Sequence, residues 1–327
     1  MMTPLLEATD LVKTFTVKTS PFAPPRQLRA VDGVTLRVAP GETLGIAGES
    51  GCGKSTLGKL LLGLLPPDGG TISYNGQALT AGSRRERLTL RKNLQMIFQD
   101  PFSSLNPRMR VGDIIGEPLI IHQLVPKTAL RDQVLQLMGK VGLLPEHLHR
   151  YPHEFSGGQR QRIGIARALA ASPQLIVADE PVSALDLSIQ AQIINLLQEL
   201  KREFGLAYIF IAHDLSVVRH MSDRVAIMYL GKIVETGERE AIFSNFRHPY
   251  TEALLSAIPR IGGAADGRRI ILQGDPPTPL NPPPGCPFHP RCPYAEQICS
   301  TIVPQLTEKG HGHLAACHFS EKLYSRG

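Results

Sequence analysis

A glycine-rich stretch near the start of the chain has the residue types and spacing of a phosphate-binding loop. It reads glycine, four residues, glycine, lysine and serine from Gly48 to Ser55, which is the P-loop pattern. Glycines let successive backbone N–H groups turn inward around an anion, and Lys54 adds a mobile positive charge for the β- and γ-phosphates. The Ser55 hydroxyl is a hard oxygen ligand of the kind that Mg²⁺ prefers. The pattern therefore predicts binding of a nucleoside triphosphate together with Mg²⁺.

Two adjacent carboxylates further along the chain supply the other half of such a site. Asp179 and Glu180 follow the apolar run 175–178, which is typical of a buried parallel strand. Because the strands of an α/β sheet present their carboxyl ends at one edge, we expect both carboxylates beside the P-loop. Asp179 would hold Mg²⁺, directly or through water, and Glu180 would orient or deprotonate the attacking water. The predicted chemistry is nucleotide hydrolysis.

Short strands and one helix must position the phosphate-binding loop. The apolar segment 43–47 predicts a strand that leads into the loop. A helix is expected from Lys54 to Leu65, where two prolines stop it. Alternating apolar and polar residues predict further strands, at 5–12, 35–38 and 71–79. An Asn-Gly pair in the last of these marks a hairpin turn.

The rest of the first 240 residues alternates between helices and strands. Residues 101–170 are expected to be mostly helical. Beyond them the pattern predicts strand 175–178, helix 188–204, strand 207–212, helix 216–221 and strand 224–229. This alternation implies an α/β fold, with helices on both faces of the sheet.

The composition excludes several classes of protein. Of 327 residues, 42% are hydrophobic and 20% are charged, an ordinary balance for a globular chain of about two domains. No apolar run reaches the roughly 18 residues of a membrane-spanning helix, and the N-terminus lacks the regions of a signal peptide. We therefore expect a cytosolic protein. The net charge of +6 gives no clear nucleic-acid-binding stripe.

These motifs, with others in order between and after them, resemble the ATP-binding-cassette (ABC) ATPases. The segment 155–162, Phe-Ser-Gly-Gly-Gln-Arg-Gln-Arg, looks like the signature of that family. Gln99 resembles its Q-loop glutamine, Asp186 its D-loop aspartate and His213 its switch histidine. Phe15 stands where the family has an aromatic residue that stacks on adenine. The resemblance extends over about residues 5–260.

The resemblance implies a P-loop ABC cassette over residues 1–240, with a mixed-sheet core, an antiparallel β subdomain and an inserted helical subdomain at about 101–170. The residues it assigns to ATP are Phe15, Gly48, Ser50, Gly51, Cys52, Gly53, Lys54, Ser55, Thr56 and Asp179. It assigns Mg²⁺ to Ser55, Gln99 and Asp179, and hydrolysis to Glu180, His213 and Gln99. The signature residues Ser156, Gly157, Gly158 and Gln159 are expected to face the P-loop of another subunit, so that ATP lies between two chains.

The C-terminal part has a different character. Residues 276–293 contain nine prolines, so this segment cannot be a regular helix or a central strand. We interpret 241–327 as a separate extension. Segments 248–255 and 276–292 resemble the extension of dipeptide and oligopeptide importer ATPases, most closely the second ATPase subunit of dipeptide permeases.

The likeness to peptide importers implies a set of partners. They are a second, homologous ATPase, two transmembrane permease subunits and a periplasmic or surface peptide-binding protein, which place the chain at the cytoplasmic face of the cell membrane. Importers of nickel or other small solutes carry a similar tail and stay open as an alternative. A soluble ABC protein acting on ribosomes or DNA is a different class, disfavoured by the single cassette and the mild charge. An exporter ATPase is disfavoured by the tail.

Four of the five cysteines lie in the extension, within the segment 286–317: Cys286, Cys292, Cys299 and Cys317. Disulfides rarely persist in the cytosol, so the cluster suggests a metal site. The paired Cys-x-x-Cys spacing of structural zinc is absent, and the wider spacing suits a [4Fe–4S] cluster, which takes one thiolate at each corner iron. Zinc and unligated thiols stay open. The family resemblance also implies a [4Fe–4S] cluster, for which we expect a structural role.

Overall fold

The computed structural model describes residues 3–18, 24–79, 84–258, 270–272, 274–275 and 277–324. Its strands are β1 (Leu6–Val17), β2 (Arg26–Val38), β3 (Thr43–Ala47), β4 (Gly69–Tyr74), β5 (Gln77–Ala78), β6 (Leu94–Ile97), β7 (Leu175–Asp179), β8 (Ala207–Ala212), β9 (Arg224–Tyr229), β10 (Lys232–Glu238), β11 (Thr307–Glu308) and β12 (Leu314–Ala315). Its helices are α1 (Lys54–Leu61), α2 (Arg84–Asn93), α3 (Val111–Ile121), α4 (Leu130–Lys140), α5 (Gly157–Ala170), α6 (Leu187–Phe204), α7 (Leu215–Met221), α8 (Arg239–Ser244), α9 (Pro249–Ser256) and α10 (Ser320–Tyr324). Short 3₁₀ helices lie at Pro145–His149, Pro152–Glu154, His289–Arg291 and Gln297–Ser300.

An eight-stranded sheet forms the centre, in the order β11-β12-β10-β9-β3-β8-β7-β6. The strands from β9 to β6 run parallel to one another, and β10 is antiparallel to β9. Strands β3, β7 and β8 are buried along their whole length. Successive residues of β7 and β8 belong alternately to two hydrophobic clusters, one on each face of the sheet. The predicted α/β fold is confirmed.

A second, four-stranded sheet has the order β2-β1-β4-β5. Strand β4 turns into β5 through Asn75 and Gly76, whose φ angles of 48° and 75° are those that a two-residue hairpin requires. The predicted hairpin is therefore confirmed. Strand β2 is much longer than the predicted segment 35–38, because it pairs with β1 along most of its length and local alternation of residues does not report such pairing.

Helix α1 ends at Leu61, before the predicted Leu65. Gly63 adopts the left-handed conformation, with φ 64°, and the N–H groups of Gly63 and Leu64 donate to carbonyls of the last helical turn at 2.8 and 2.9 Å. This is a Schellman ending. The glycine, rather than the prolines that follow, terminates the helix.

Three helices between β6 and β7 form the helical part of the chain. Helices α3, α4 and α5 pack against one another around buried side chains such as Ile115, Met138 and Ile163. Residues 101–110 are turns and bends rather than helix, so helix begins only at Val111. The predicted boundaries of the helical subdomain, 101–170, stay a prediction.

The described part of the extension packs directly on the cassette. Strand β12 pairs with β10, where Glu235 is opposite Ala315, and β11 pairs with β12. The buried side chains of Cys286, Phe288 and Cys299 belong to the main hydrophobic cluster. The predicted division at residue 240 stays a prediction, whereas in space the two parts share one sheet and one core.

Candidate functional site

The P-loop connects β3 to α1 and requires glycine for steric reasons. Gly48 and Gly53 have φ angles of 154° and 107°, which L side chains rarely adopt. A Cβ on Gly48 would lie 2.1 Å from the Met228 carbonyl oxygen, and one on Gly53 would lie 2.1 Å from the Ala30 carbonyl oxygen. Both contacts are to backbone that cannot rotate away, so the loop is closely fitted between β2 and β9.

Lys54 lies inside this loop. The residue is 4% exposed, and its Nζ donates hydrogen bonds to the carbonyl oxygens of Gly48 (2.8 Å) and Glu49 (2.9 Å). Cys52 is buried as well, with Sγ 3.8 Å from Lys54 Nζ, and burial raises the pKa of its thiol. The loop therefore presents an ammonium group among backbone dipoles, an arrangement that suits an anion.

A hydroxyl and a carboxylate, both predicted to bind Mg²⁺, meet beside the loop. The Ser55 hydroxyl donates to Asp179 Oδ1 at 2.8 Å. Burial raises the pKa of Asp179, while the hydrogen bond from Ser55 opposes that shift. A carboxylate whose charge is disfavoured by burial is stabilised by a nearby cation. Ser55 and Asp179 thus fit the oxygen ligands that Mg²⁺ prefers.

Three predicted catalytic residues meet at one carboxylate oxygen. The Gln99 side-chain amide donates to Glu180 Oε2 at 3.0 Å, and His213 Nδ1 lies 3.3 Å from the same oxygen. Glu180 follows β7 with φ 45°, an uncommon conformation for a non-glycine residue that concentrates at functional sites. The end of β7 therefore brings the Q-loop glutamine and the switch histidine to the candidate base.

A cleft of about 280 Å³ joins the P-loop to Gln99 and Glu180 and has neither Asp179 nor His213 among its described lining residues. It is lined by Phe15, Leu28, Ala30, Ser50, Gly51, Gly53, Lys54, Ser55, Thr56, Gln99 and Glu180. Leu28 and Ala30 are additions to the predicted set. Phe15 is 36% exposed and pairs across the β1–β2 ladder with Leu28. The register of these two strands brings Leu28 into the cleft, and a local sequence pattern does not report that register. The lining of the cleft combines apolar side chains with the ammonium group of Lys54, groups that suit the base and the phosphates of a nucleotide.

The signature residues lie at the start of α5, and the described residues that line the cleft do not include them. Ser156 caps α5 in a reciprocal pair, because its hydroxyl accepts from the Gln159 N–H and its own N–H donates to Gln159 Oε1. A Cβ on Gly158 would lie 2.5 Å from Ile189 Cγ2, so this glycine allows α5 to approach α6. The D-loop Asp186 caps α6 and accepts from the Ile189 N–H at 2.9 Å.

The four cysteines of the extension converge on one small pocket, together with His248, Phe288 and Phe319. Burial, together with the charges of the other cysteines of the set, raises the pKa of Cys286 to about 11 and of Cys292 to about 12. The cysteines are free thiols. In the part of the chain that the structure describes, no group of three or more His, Cys, Asp or Glu side chains is arranged to hold a metal ion.

The described helices include none that is long and apolar enough to cross a membrane.

The chain is similar to proteins of known families. Residues 31–183 match the family described as ABC transporter, and residues 234–299 match the family described as oligopeptide/dipeptide transporter, C-terminal region. The dipeptide transport ATP-binding protein DppF of Escherichia coli (strain K12) is 52% identical, over 96% of this chain and 94% of DppF. The oligopeptide transport ATP-binding protein AppF of Bacillus subtilis (strain 168) is 52% identical over 98% of each chain. A solved dimeric ATP-binding cassette in a post-hydrolysis state, bound to ADP and Pi, has a TM-score of 0.64 at 26% identity and covers 72% of this chain and 98% of its own.

Proposed function

The chain belongs to the ABC transporter ATPases, among the dipeptide and oligopeptide transport ATP-binding proteins, and from this premise we propose how it energises peptide import. The observation that carries the function is the meeting of Gln99 and His213 at Glu180 Oε2. That oxygen lies in the cleft that also contains the P-loop. An ATPase of this family drives transport through other subunits, so hydrolysis at this cleft is the chain's own reaction.

In the proposed reaction, water attacks the γ-phosphorus of ATP and the bond to the β-phosphate oxygen breaks, which gives ADP and inorganic phosphate. Glu180 orients the water and accepts its proton. Lys54 and the loop N–H groups hold the β- and γ-phosphates, and His213 donates a hydrogen bond to the γ-phosphate. Ser55, Asp179 and Gln99 would hold Mg²⁺, which would supply positive charge to the phosphate oxygens when bound.

We propose that the ATP site is completed by a second ATPase subunit. The cleft of one chain lacks the signature residues among its described lining, while Ser156 and Gly157 open helix α5 with N–H groups suited to a γ-phosphate. A partner's signature would close the site, which the dimeric state of the related cassette supports. The partner is proposed to be a homologous but different ATPase, as in the paired subunits of peptide permeases. One chain alone should then hydrolyse ATP poorly.

The proposed partners in the membrane are two permease subunits, supplied with peptide by a periplasmic or surface binding protein. The helical part presents apolar side chains to solvent, with Phe102, Ile120 and Ile121 between 56% and 61% exposed. Phe102 closely follows Gln99, so contact there would be transmitted to Glu180. We place the chain at the cytoplasmic face of the cell membrane, bound to it through these subunits, and expect no nucleic acid.

We propose that Cys286, Cys292, Cys299 and Cys317 ligate a [4Fe–4S] cluster. Support comes from their convergence on one pocket and from the soft donor chemistry of four thiols, since a cubane takes one thiolate at each of four irons. The four cysteines include no Cys-x-x-Cys pair of the kind that structural zinc sites use, which favours the cluster over zinc.

Two measurements test these proposals separately. Affinity purification from detergent-solubilised membranes should recover two permease subunits and a second ATPase. Recovery of ribosomes or DNA in their place would refute the transport assignment. Import of nickel rather than peptide by the purified complex would refute the substrate class. Anaerobic purification should yield iron and sulfide in equal amounts, lost in Cys286→Ser. Zinc without iron, or no metal at all, would refute the cluster.

A further inference from the structure

The P-loop makes an ion pair with the extension that the ATPase motifs do not account for. Glu49 is the second residue of the loop, and its carboxylate accepts two hydrogen bonds from Arg291, from Nη1 to Oε2 at 2.8 Å and from Nη2 to Oε1 at 3.0 Å. The side chain of Arg291 is 7% exposed and that of Glu49 is 26% exposed. Two-pronged pairs of this kind fix orientation as well as charge.

The backbone of Glu49 is held from the same side. Its N–H donates to the Tyr250 hydroxyl at 2.8 Å, and Tyr250 is fully buried. The ring of Tyr250 packs against Tyr229 and Phe288, with ring centroids 4.7 and 5.4 Å apart. An aromatic wall from β9, α9 and the cysteine-rich segment thus supports one residue of the loop.

Glu49 is also in direct contact with the phosphate-binding lysine. Its carbonyl oxygen accepts from Lys54 Nζ at 2.9 Å and from the Cys52 N–H at 3.3 Å. A displacement of Glu49 would therefore move the ammonium group and the loop N–H groups that face ATP. The same residue therefore contacts Arg291 through its carboxylate and Lys54 through its backbone carbonyl oxygen.

The other end of the ion pair belongs to the turn that carries the cysteines. Arg291 ends the 3₁₀ helix His289–Arg291 and immediately precedes Cys292. Its N–H donates to the Phe288 carbonyl at 3.0 Å, and the Cys286 N–H donates to the Cys299 carbonyl at 2.8 Å. The direction in which Arg291 points depends on the order of this turn.

We propose that Arg291 is a positioning residue for the P-loop, which neutralises and orients Glu49 so that the order of the cysteine-rich segment sets the affinity for ATP. Without the guanidinium, an unpaired carboxylate would stand on the loop that carries Lys54, and its negative charge would oppose the binding of an anion to that loop. The inference rests on ATP binding at the P-loop and is independent of which solute is transported.

The experiment measures the dissociation constant of Mg–ATP for the purified full-length chain, at a temperature well below unfolding. Arg291→Ala should raise that constant by about tenfold, since a nearby unpaired charge repels the nucleotide. Arg291→Ala combined with Glu49→Gln should regain most of the loss, because the repelling carboxylate is gone. A merely structural role for Arg291 would leave the double variant as weak as the single one.

Further variants separate this inference from its premises. Lys322→Ala breaks a surface ion pair of the same extension, Lys322 Nζ to Glu296 Oε1 at 2.9 Å, and should leave ATP affinity unchanged. Cys292→Ser should weaken ATP binding, and adding Arg291→Ala to Cys292→Ser should cause little further loss of affinity.

Parental affinity in folded Arg291→Ala overturns the proposal; if that variant does not fold, parental affinity in Arg291→Gln, which also removes the positive charge, does so. Lys54→Ala must abolish binding, and if it does not, the ATP site itself is misassigned.

Discussion

Replacing Gly48 with alanine tests the close fit of the P-loop. The new Cβ would lie 2.1 Å from the Met228 carbonyl oxygen and 3.0 Å from Cys52 Sγ. Real Cβ contacts stay above 3.0 Å, so either β9 or the loop must move by about 1 Å. The φ of 154° adds backbone strain. Overpacking and strain together give an expected destabilisation of roughly 2–6 kcal/mol.

Gly51→Ala provides the matched control in the same loop. Gly51 has φ 79°, but a Cβ there would meet no atom within 4 Å. Only the strain of the left-handed conformation remains, which is about 1–2 kcal/mol. Urea unfolding followed by circular dichroism should therefore separate the two variants. Because Lys54 donates to the Gly48 carbonyl, Gly48→Ala should also weaken Mg–ATP binding relative to the parental chain. Equal effects of the two substitutions on stability would refute the steric argument.

The remaining predictions concern hydrolysis, helix packing and pH. Glu180→Gln should keep ATP affinity but slow hydrolysis by the assembled complex by about 10²–10⁴-fold, the usual contribution of a general base; hydrolysis at the parental rate would contradict that role. Gly158→Ala should destabilise the fold by about 1–3 kcal/mol through overpacking against Ile189. In an Ile189→Ala background, which lacks Cγ2, the same glycine substitution should cost much less. Equal losses of stability in the two backgrounds would contradict the contact. Burial lowers the pKa of His248 to about 3, whereas the unfolded chain takes up that proton near pH 6.5. The free energy of unfolding should therefore fall as the pH drops from 6.5 towards 3, by at most about 1.4 kcal/mol per pH unit. Urea titrations at several pH values should show a shallower dependence in His248→Asn, which keeps a capping oxygen for the Tyr250 N–H; an unchanged dependence would contradict the assignment.

The ATP-site motifs were predictable because each of them consists of a few residues that are close together in the sequence. The spacing from Gly48 to Ser55 alone specifies a loop between a strand and a helix, and the apolar run before Asp179 specifies a buried strand that ends at the same sheet edge. The structure places Ser55 within 2.8 Å of Asp179, although 124 residues separate them. Sheet topology carries that information, and alternating strand and helix segments were enough to indicate it.

Other parts of the structure depend on contacts that no local pattern reports. Arg291 and Glu49 are 242 residues apart, and each alone has the properties of an ordinary charged surface residue. The pairing of β12 with β10 depends on two-residue strand segments, too short to show alternation. Leu28 enters the cleft only because the β1–β2 register places it opposite Phe15. These features result from tertiary packing, which overrides weak local preferences.

The central claim is that ATP hydrolysis by this chain drives peptide import, and transport by the reconstituted complex tests it most directly. Proteoliposomes containing the chain, its partner ATPase and both permease subunits are loaded with Mg–ATP on the ATPase side and supplied with the binding protein and labelled dipeptide. We predict ATP-dependent accumulation of peptide that is abolished by Lys54→Ala and retained in Lys322→Ala. Accumulation that persists in Lys54→Ala, or hydrolysis without peptide transport in the intact complex, would contradict the account.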